Sequence, residues 1–168
     1  MKYTRKELLY YLNKKHINYI EYSHKPLFSV NDSKELRGDI KGSHTKNLFL
    51  KDKKKNFFLI SCLEDKKIDL KKIKNMINVK NLSFASEISL KEILEITPGA
   101  VTPFALINDK DRITDFFLDK DILKSETVNF HPLVNNFTLN MPITGFINFL
   151  ESINIQINLI NFRLYKIE

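Results

Sequence analysis

Thr45-Lys46-Asn47-Leu48-Phe49-Leu50, followed across the turn Asp52-Lys53-Lys54-Lys55 by Asn56-Phe57-Phe58-Leu59-Ile60-Ser61-Cys62, is the stretch that decides the fold. Two apolar runs of strand length joined by a short polar turn predict a β-hairpin near the centre of a sheet. Alternation puts Lys46, Leu48 and Leu50 on one face and Asn47 and Phe49 on the other. An ammonium that shares a face with two leucines either snorkels to water or is held at the wall of a pocket.

Outward from the hairpin, helices and strands mix without strict alternation. Thr4-x-x-Glu7 is a capping box, and Leu8, Leu9, Tyr11 and Leu12 give the helix after it an apolar side. Residues 17–22 alternate as a first strand. Ser29 with Asp32 predicts a further N-cap, opening a short helix that ends by Gly38. Asp69 caps a helix to about residue 77, and residues 82–85 form a short strand. Residues 89–96 read as a helix stopped by Pro98-Gly99. Residues 104–108 read as a strand that turns at Asp109-Lys110-Asp111 into a partner over 113–118. Two more strands flank His131-Pro132, a final helix covers 143–152, and an edge strand follows over 155–160. The expected fold is α+β, with a mixed, largely antiparallel central sheet and helices packed around it.

The chain has 168 residues. That suits one domain over residues 1–168, since a chain of about 150 residues buries roughly two-thirds of its unfolded surface. No apolar run reaches the ~20 residues that cross a bilayer, and the N-terminal residues lack a signal-peptide core. The single cysteine, Cys62, excludes an intrachain disulfide, and no Cys/His cluster has zinc spacing. A reduced, cytoplasmic setting is expected, with no metal, no cofactor and no membrane partner. The net charge of +7 suggests an anionic partner such as nucleic acid. A composition rich in Lys, Asn and Ile together gives the same charge without one.

Two further segments carry candidate chemistry. In Thr97-Pro98-Gly99-Ala100-Val101-Thr102-Pro103, Gly99 permits a positive φ and Pro103 stiffens the exit. The amides of Ala100, Val101 and Thr102 then either point into a cavity as oxyanion donors or belong to an ordinary connector. In Asn129-Phe130-His131-Pro132-Leu133, His131 is fixed between an apolar strand and a proline. His24 and His44 fall in loops near the same region, and His16 sits at a helix end.

Together these segments, with Leu36-Arg37-Gly38-Asp39, Leu82-Ser83-Phe84-Ala85-Ser86 and Leu106-Ile107-Asn108-Asp109, resemble the freestanding prolyl-tRNA editing proteins of the YbaK/ProX group. That group is related to the editing insertion of bacterial prolyl-tRNA synthetases, and the nearest branch is the alanyl-tRNA(Pro) deacylase one. The resemblance spans roughly residues 28–140, in order. The Thr-Lys-Asn-Leu-Phe-Leu string and the Gly-x-x-x-Pro loop are specific in combination.

The resemblance implies a trans-editing hydrolase that deacylates Ala-tRNA(Pro) and spares Pro-tRNA(Pro). Its essential lysine matches Lys46, the next asparagine matches Asn47, its loop matches Gly99 to Pro103, and its histidine matches His131. The aminoacyl ester would lie between the lysine strand and the loop. Loop amides and the Lys46 ammonium are the candidate oxyanion donors, with holding the terminal phosphate as the other task for Lys46; a loop carbonyl or the substrate's vicinal hydroxyl would orient the water, and His131 would position groups or transfer a proton. The pocket wall would include Phe28, Val30 and Leu48, and would admit alanine but not the proline ring. The tRNA acceptor stem would cross Lys25, Lys34, Arg37 and Lys41, with prolyl-tRNA synthetase as a candidate second partner. The same chemistry on Ser, Cys or Thr esters, a non-catalytic tRNA-binding module, and a small-molecule-binding protein are the rival readings.

Overall fold

The computed structural model describes residues 2–27 and 39–168. The helix expected after Ser29, and Phe28, Val30, Lys34 and Arg37, lie outside the described residues. The chain opens with helix α1 (Arg5–Lys14), entered through the Thr4–Glu7 capping box; Leu8 and Leu12 are buried. Strand β1 (Ile20–Ser23) follows, then the hairpin β2 (Ser43–Lys51) and β3 (Phe57–Leu63). Helix α2 (Leu70–Met76) is capped by the Asp69 carboxylate, which accepts from the Lys71 and Lys72 amides. The short strand β4 (Ser83–Phe84) leads into α3 (Glu87–Ser89), which widens into a π turn over Leu90–Leu94. Strands β5 (Thr114–Asp119), β6 (Thr127–Phe130) and β7 (Phe137–Pro142) precede helix α4 (Ile143–Ser152). Strands β8 (Ile157–Asn161) and β9 (Lys166–Ile167) complete the order.

The strands form one mixed sheet in the order β1-β7-β6-β2-β3-β5-β8-β9, with β4 added to the end of β2. The hairpin is central, as expected, and its register places Lys46 opposite Cys62 and Asn47 opposite Ser61. Parallel pairing joins β2 to β6, β3 to β5 and β5 to β8; the other pairs are antiparallel. β3 is covered on both faces, so it reads as a near-continuous apolar run broken only by Ser61, between antiparallel β2 and parallel β5.

Two cores follow from the alternation. Phe57 and Leu59 face the larger one, which is packed by α1, α3 and α4. Phe58, Ile60 and Cys62 face the smaller one, which α2 closes through Ile73. In the larger core, Phe104 meets Phe149 edge-on at 5.0 Å and Phe130 lies 4.5 Å from Phe146. Such ring pairs add about 0.5–1.5 kcal/mol each beyond their buried area.

Three expectations are corrected. Residues 104–108 do not form a strand: Pro103–Ile107 is a 3₁₀ turn with Pro103 in its first turn, and the Thr102 hydroxyl accepts from the Phe104 amide. A short run buried on all sides has no period that separates strand from helix, and a proline with fixed φ favours the helical start. The partner of β5 is therefore β3, in parallel, rather than residues 104–108. The helix around residue 90 ends at Glu95, which adopts a left-handed φ of 57°, two residues before the Thr97-Pro98-Gly99 turn begins. Strand β8 is not an edge, because β9 pairs outside it.

Gly42 sets the entry to β2. Its φ is +88°, and a Cβ there would lie 2.2 Å from Thr127 Oγ1 and 3.0 Å from the Thr127 carbonyl oxygen. Beside it the Lys41 carbonyl accepts from both Asn129 Nδ2 and Asn140 Nδ2, each at 2.9 Å. Gly42→Ala is expected to cost roughly 2 kcal/mol, the scale of a strained backbone site. Urea unfolding checks this, and a loss below a few tenths of a kcal/mol would contradict it.

Candidate active site

The loop of residues 97–103 meets the sheet through one side chain. Asn47 Nδ2 donates to the Val101 carbonyl at 3.1 Å, and Asn47 Oδ1 accepts from the Ser61 hydroxyl at 2.6 Å. Both ends of the amide are thereby satisfied, which fixes its rotamer. The cross-strand register that pairs Asn47 with Ser61 makes this possible.

Within the loop, the Ala100 amide donates to the Thr97 carbonyl at 3.1 Å, and Gly99 has φ +86°. Pro98 and Gly99 thus occupy the corners of a tight turn of the type that needs a positive φ at its second corner. This corrects one expectation: the Ala100 amide is used by the turn, and Ala100 is core. Pro103 is buried at the start of the 3₁₀ turn. The amides of Val101 and Thr102 donate to no acceptor among the described residues. Two adjacent N–H groups with no partner among the described residues are the donor type an oxyanion needs; Thr102 is fully buried, and neither residue lines the cavities at His44.

On the same side of β2, a cavity of about 30 Å³ is lined by His44, Thr45, Asn47, Asn129, Phe130, His131 and Thr138. That is the scale of one or two waters. His131 Nδ1 bonds the Phe137 carbonyl at 2.8 Å, so Nδ1 carries the proton and Nε2 holds the lone pair. Burial pushes the His131 pKa down; the Phe137 carbonyl opposes this and nearby His24 adds to it. The neutral ring is therefore the resting form near neutral pH. His24 lies 5.9 Å from His131, ring to ring, and bonds the Thr138 hydroxyl at 2.8 Å through Nε2. His44 is not in a loop: it is the second residue of β2, with Nε2 2.7 Å from the Ile40 carbonyl oxygen. It also lines a larger cleft of about 460 Å³, shared with Gly42, Ser43 and residues Leu63, Glu64, Asp65 and Lys66.

Lys46 takes the other direction. It pairs with Cys62, whose side chain belongs to the smaller core, and its ammonium donates to the Lys66 carbonyl. The strand residue that meets the 97–103 loop is therefore Asn47, and Lys46 stands on the opposite face beside the Lys66 turn. Leu48 packs against the smaller core too, so it does not line the 30 Å³ cavity. Of the expected tRNA contacts, Lys25 and Lys41 are exposed.

Sequence reasoning missed Ser61, Thr138, Asn129 and the ion pairs of Lys66. Ser61 could have been found from the hairpin register alone. Lys66 Nζ lies 2.8 Å from Asp119 Oδ1 and 2.6 Å from Asp121 Oδ2, contacts made across more than fifty residues with no local signature. Among the described residues, no cluster of His, Cys, Asp and Glu has the makings of a metal site.

Cys62 sits beneath Lys46 with its thiol pushed up to about 12, because burial outweighs the nearby lysines. It is a neutral thiol at any physiological pH and no ion-pair partner for the ammonium. Two measurements follow. Iodoacetamide should leave Cys62 unmodified in the native protein and modify it fully in denaturant; rapid native labelling would contradict its burial. For His131, a folded pKa below the ordinary value means the unfolded chain protonates first as pH falls. Stability should therefore decline as pH drops through about 6.5, and the NMR titration of His131 should fall below that of the denatured chain; a midpoint above it would contradict the assignment.

Comparisons with known proteins agree with this architecture. Residues 24–149 match the family model described as the aminoacyl-tRNA editing domain. The chain is 38% identical to prolyl-tRNA synthetase associated domain-containing protein 1 of Xenopus laevis, over 88% of this chain and 90% of that protein. It is 35% identical to the prolyl-tRNA editing protein ProX of Acetoanaerobium sticklandii, over 73% of this chain and 76% of that one. A crystal structure of a candidate trans-editing enzyme for prolyl tRNA synthetase superposes with a TM-score of 0.66 at 15% identity, over 94% of this chain and 96% of that chain. At that identity the superposition speaks for the fold alone. The family match and the two sequence relatives carry the assignment: this chain belongs to the aminoacyl-tRNA editing domain family.

Proposed function

We propose that this protein is an aminoacyl-tRNA deacylase that clears alanine from mischarged Ala-tRNA(Pro) in trans and leaves Pro-tRNA(Pro) intact. The observation that carries the reading is the braced loop, whose Val101 and Thr102 amides have no acceptor among the described residues while Asn47 holds the Val101 carbonyl. An ester carbonyl becomes an oxyanion when water attacks it, and fixed backbone donors aimed at that charge typically supply 10²–10³ in rate. The water's oxygen bonds to the acyl carbon, the bond from that carbon to the ribose oxygen breaks, and the water's proton leaves on the ribose hydroxyl. Neutral His131 offers Nε2 as an acceptor for the water or for a proton in transit. The vicinal ribose hydroxyl is a second group that can orient the water.

Lys46 fits a different task from the oxyanion donors. It has three ammonium donors, one of which goes to the Lys66 carbonyl, its one side-chain bond among the described residues. Lys66, which holds it, lines the 460 Å³ cleft, within the size range of small-ligand sites, and His44 lines both that cleft and the 30 Å³ cavity. In this reading the terminal nucleotide occupies the cleft with Lys46 on its phosphate, and the amino-acid side chain occupies the small cavity. A void of that size suits a methyl group and excludes a pyrrolidine ring, which is the discrimination required. Gly99 holds the loop's turn, and exposed Lys25 and Lys41 are phosphate contacts for the acceptor stem, with prolyl-tRNA synthetase as a second partner and the cytoplasm as the setting.

The test is to charge tRNA(Pro) separately with Ala, Ser, Cys and Pro and to follow ester loss. The Ala ester should disappear fastest and the Pro ester should persist. Lys46→Ala and Asn47→Ala should each slow alanine release by about 100-fold, the scale of one lost electrostatic contact in a closed site. Equal rates for wild type and Lys46→Ala would overturn its role. Faster loss of Ser or Cys than of Ala would reassign the substrate, and no loss of any ester with tight tRNA binding would make the protein a binding module. Lys25→Ala and Lys41→Ala should each lower the salt slope of tRNA binding by about one, as loss of one phosphate contact does.

A further inference from the structure

The Lys66 side chain, Asp119 and Asp121 have no role in the proposed reaction, yet they surround the carbonyl that holds Lys46. The Lys66 carbonyl accepts from the Lys46 ammonium. The Lys66 amide donates to the Leu63 carbonyl at 3.1 Å, closing a turn directly after β3. The Lys66 ammonium bonds Asp119 Oδ1 at 2.8 Å and Asp121 Oδ2 at 2.6 Å, and it lies 5.5 Å from the centre of the Phe162 ring. Asp119 is fully buried at the end of β5, and its second oxygen accepts from the Leu63 amide at 3.3 Å. One carboxylate thus grips the turn at both ends, by main chain at Leu63 and by side chain at Lys66.

We infer that Lys66, pinned by Asp119 and Asp121, is a positioning residue for Lys46: the ion pairs fix the Lys66 carbonyl, and the carbonyl aims the Lys46 ammonium. The inference rests on the role proposed above for Lys46. A flexible four-carbon side chain has no fixed direction of its own, even on a paired strand residue such as Lys46. Its neighbour Cys62 is a neutral thiol and supplies no counter-charge. The carbonyl is therefore the group that orders it, and a carbonyl on a turn is only as fixed as the turn. The direction of the titration shifts agrees. Burial opposes charge on Lys66, but the hydrogen bonds it donates to the two carboxylates outweigh this and raise its pKa. Lys124 and Lys66 together hold the Asp121 carboxyl well below the usual carboxylate range. Lys66 and Asp121 therefore stay ionised across the physiological range, so their pairing does not open with modest changes in pH.

Lys66→Met alone would strand a buried carboxylate and endanger folding. The informative variants are Lys66→Arg, which keeps the ion pair, and the double variant Lys66→Met/Asp119→Asn, which removes both charges. Circular dichroism confirms that each is folded. Two readouts separate positioning from mere stability. In alanine release from tRNA(Pro), the double variant should lose at least about tenfold in kcat with KM nearly unchanged, as expected when one charge-assisted hydrogen bond no longer orders the ammonium. Lys66→Arg should restore most of it, and the double variant should cause no further loss when Lys46 is already alanine. The second readout needs no activity: acetylation by an N-hydroxysuccinimide ester, mapped by mass spectrometry, should modify Lys46 several-fold faster in the double variant than in wild type or Lys66→Arg. Unchanged labelling of Lys46, or an equal further loss of rate in the Lys46→Ala background, would overturn the inference. A wild-type-like rate for Lys46→Ala would instead overturn the role of Lys46, and the labelling would still decide whether Lys66 positions it.

Discussion

The site depends on one amide side chain. Asn47 is the point where the central hairpin touches the 97–103 loop, with Ser61 on one side and the Val101 carbonyl on the other. If it were removed, the loop would be tied down only through its own turn and the buried segment after Pro103. With it in place, the loop is braced from three directions: by the sheet at Val101, by the Thr97–Ala100 turn, and by the Phe104 ring seated among Phe130, Phe146 and Phe149. Rigidity of this kind is what fixed donors require, because donors that must reorganise as charge develops lose much of their effect.

The two faces of β2 divide the chemistry. Asn47 and Thr45 face the small cavity with His131, a neutral and desolvated place suited to an acyl group. Lys46 faces the other way, toward the Lys66 turn, and Lys66 in turn lines the wider cleft. Adjacent residues on a strand point to opposite faces, so in the proposed reading Lys46 and Asn47 would address two parts of one substrate. The fold puts this pair beside the middle of the sheet, where β6 supplies Asn129 and its continuation supplies His131.

Much of this was legible in the sequence, and the misses have physical causes. The hairpin, its turn and its alternation follow from a polar turn between apolar runs, and the final helix follows from its period. Alternation assigns residues to two faces but cannot say which face the rest of the chain will cover with which loop, so Lys46 was expected to oppose residues 99–103 when Asn47 does. Leu48 was misplaced for the same reason. Residues 104–108 misled because a run buried on all sides carries no periodic signal, and the proline before it held the better clue. The Lys66–Asp119 pair could not be read, since contacts made through tertiary packing leave no spacing to recognise. Ser61 was legible and overlooked: pairing the hairpin residue by residue places it opposite Asn47.

The central claim is that the Asn47–Val101 junction is where the acyl group binds. The most direct measurement is an amide chemical-shift map of the protein with a non-hydrolysable mimic, adenosine bearing alanine through a 3′-amide. The account predicts the largest shifts at the Val101 and Thr102 backbone amides, the Asn47 side-chain amide and the His131 ring. Shifts confined to another cavity, such as the 390 Å³ cleft lined by Arg112, Asn154 and Asn158, with residues 99–103 silent, would contradict it.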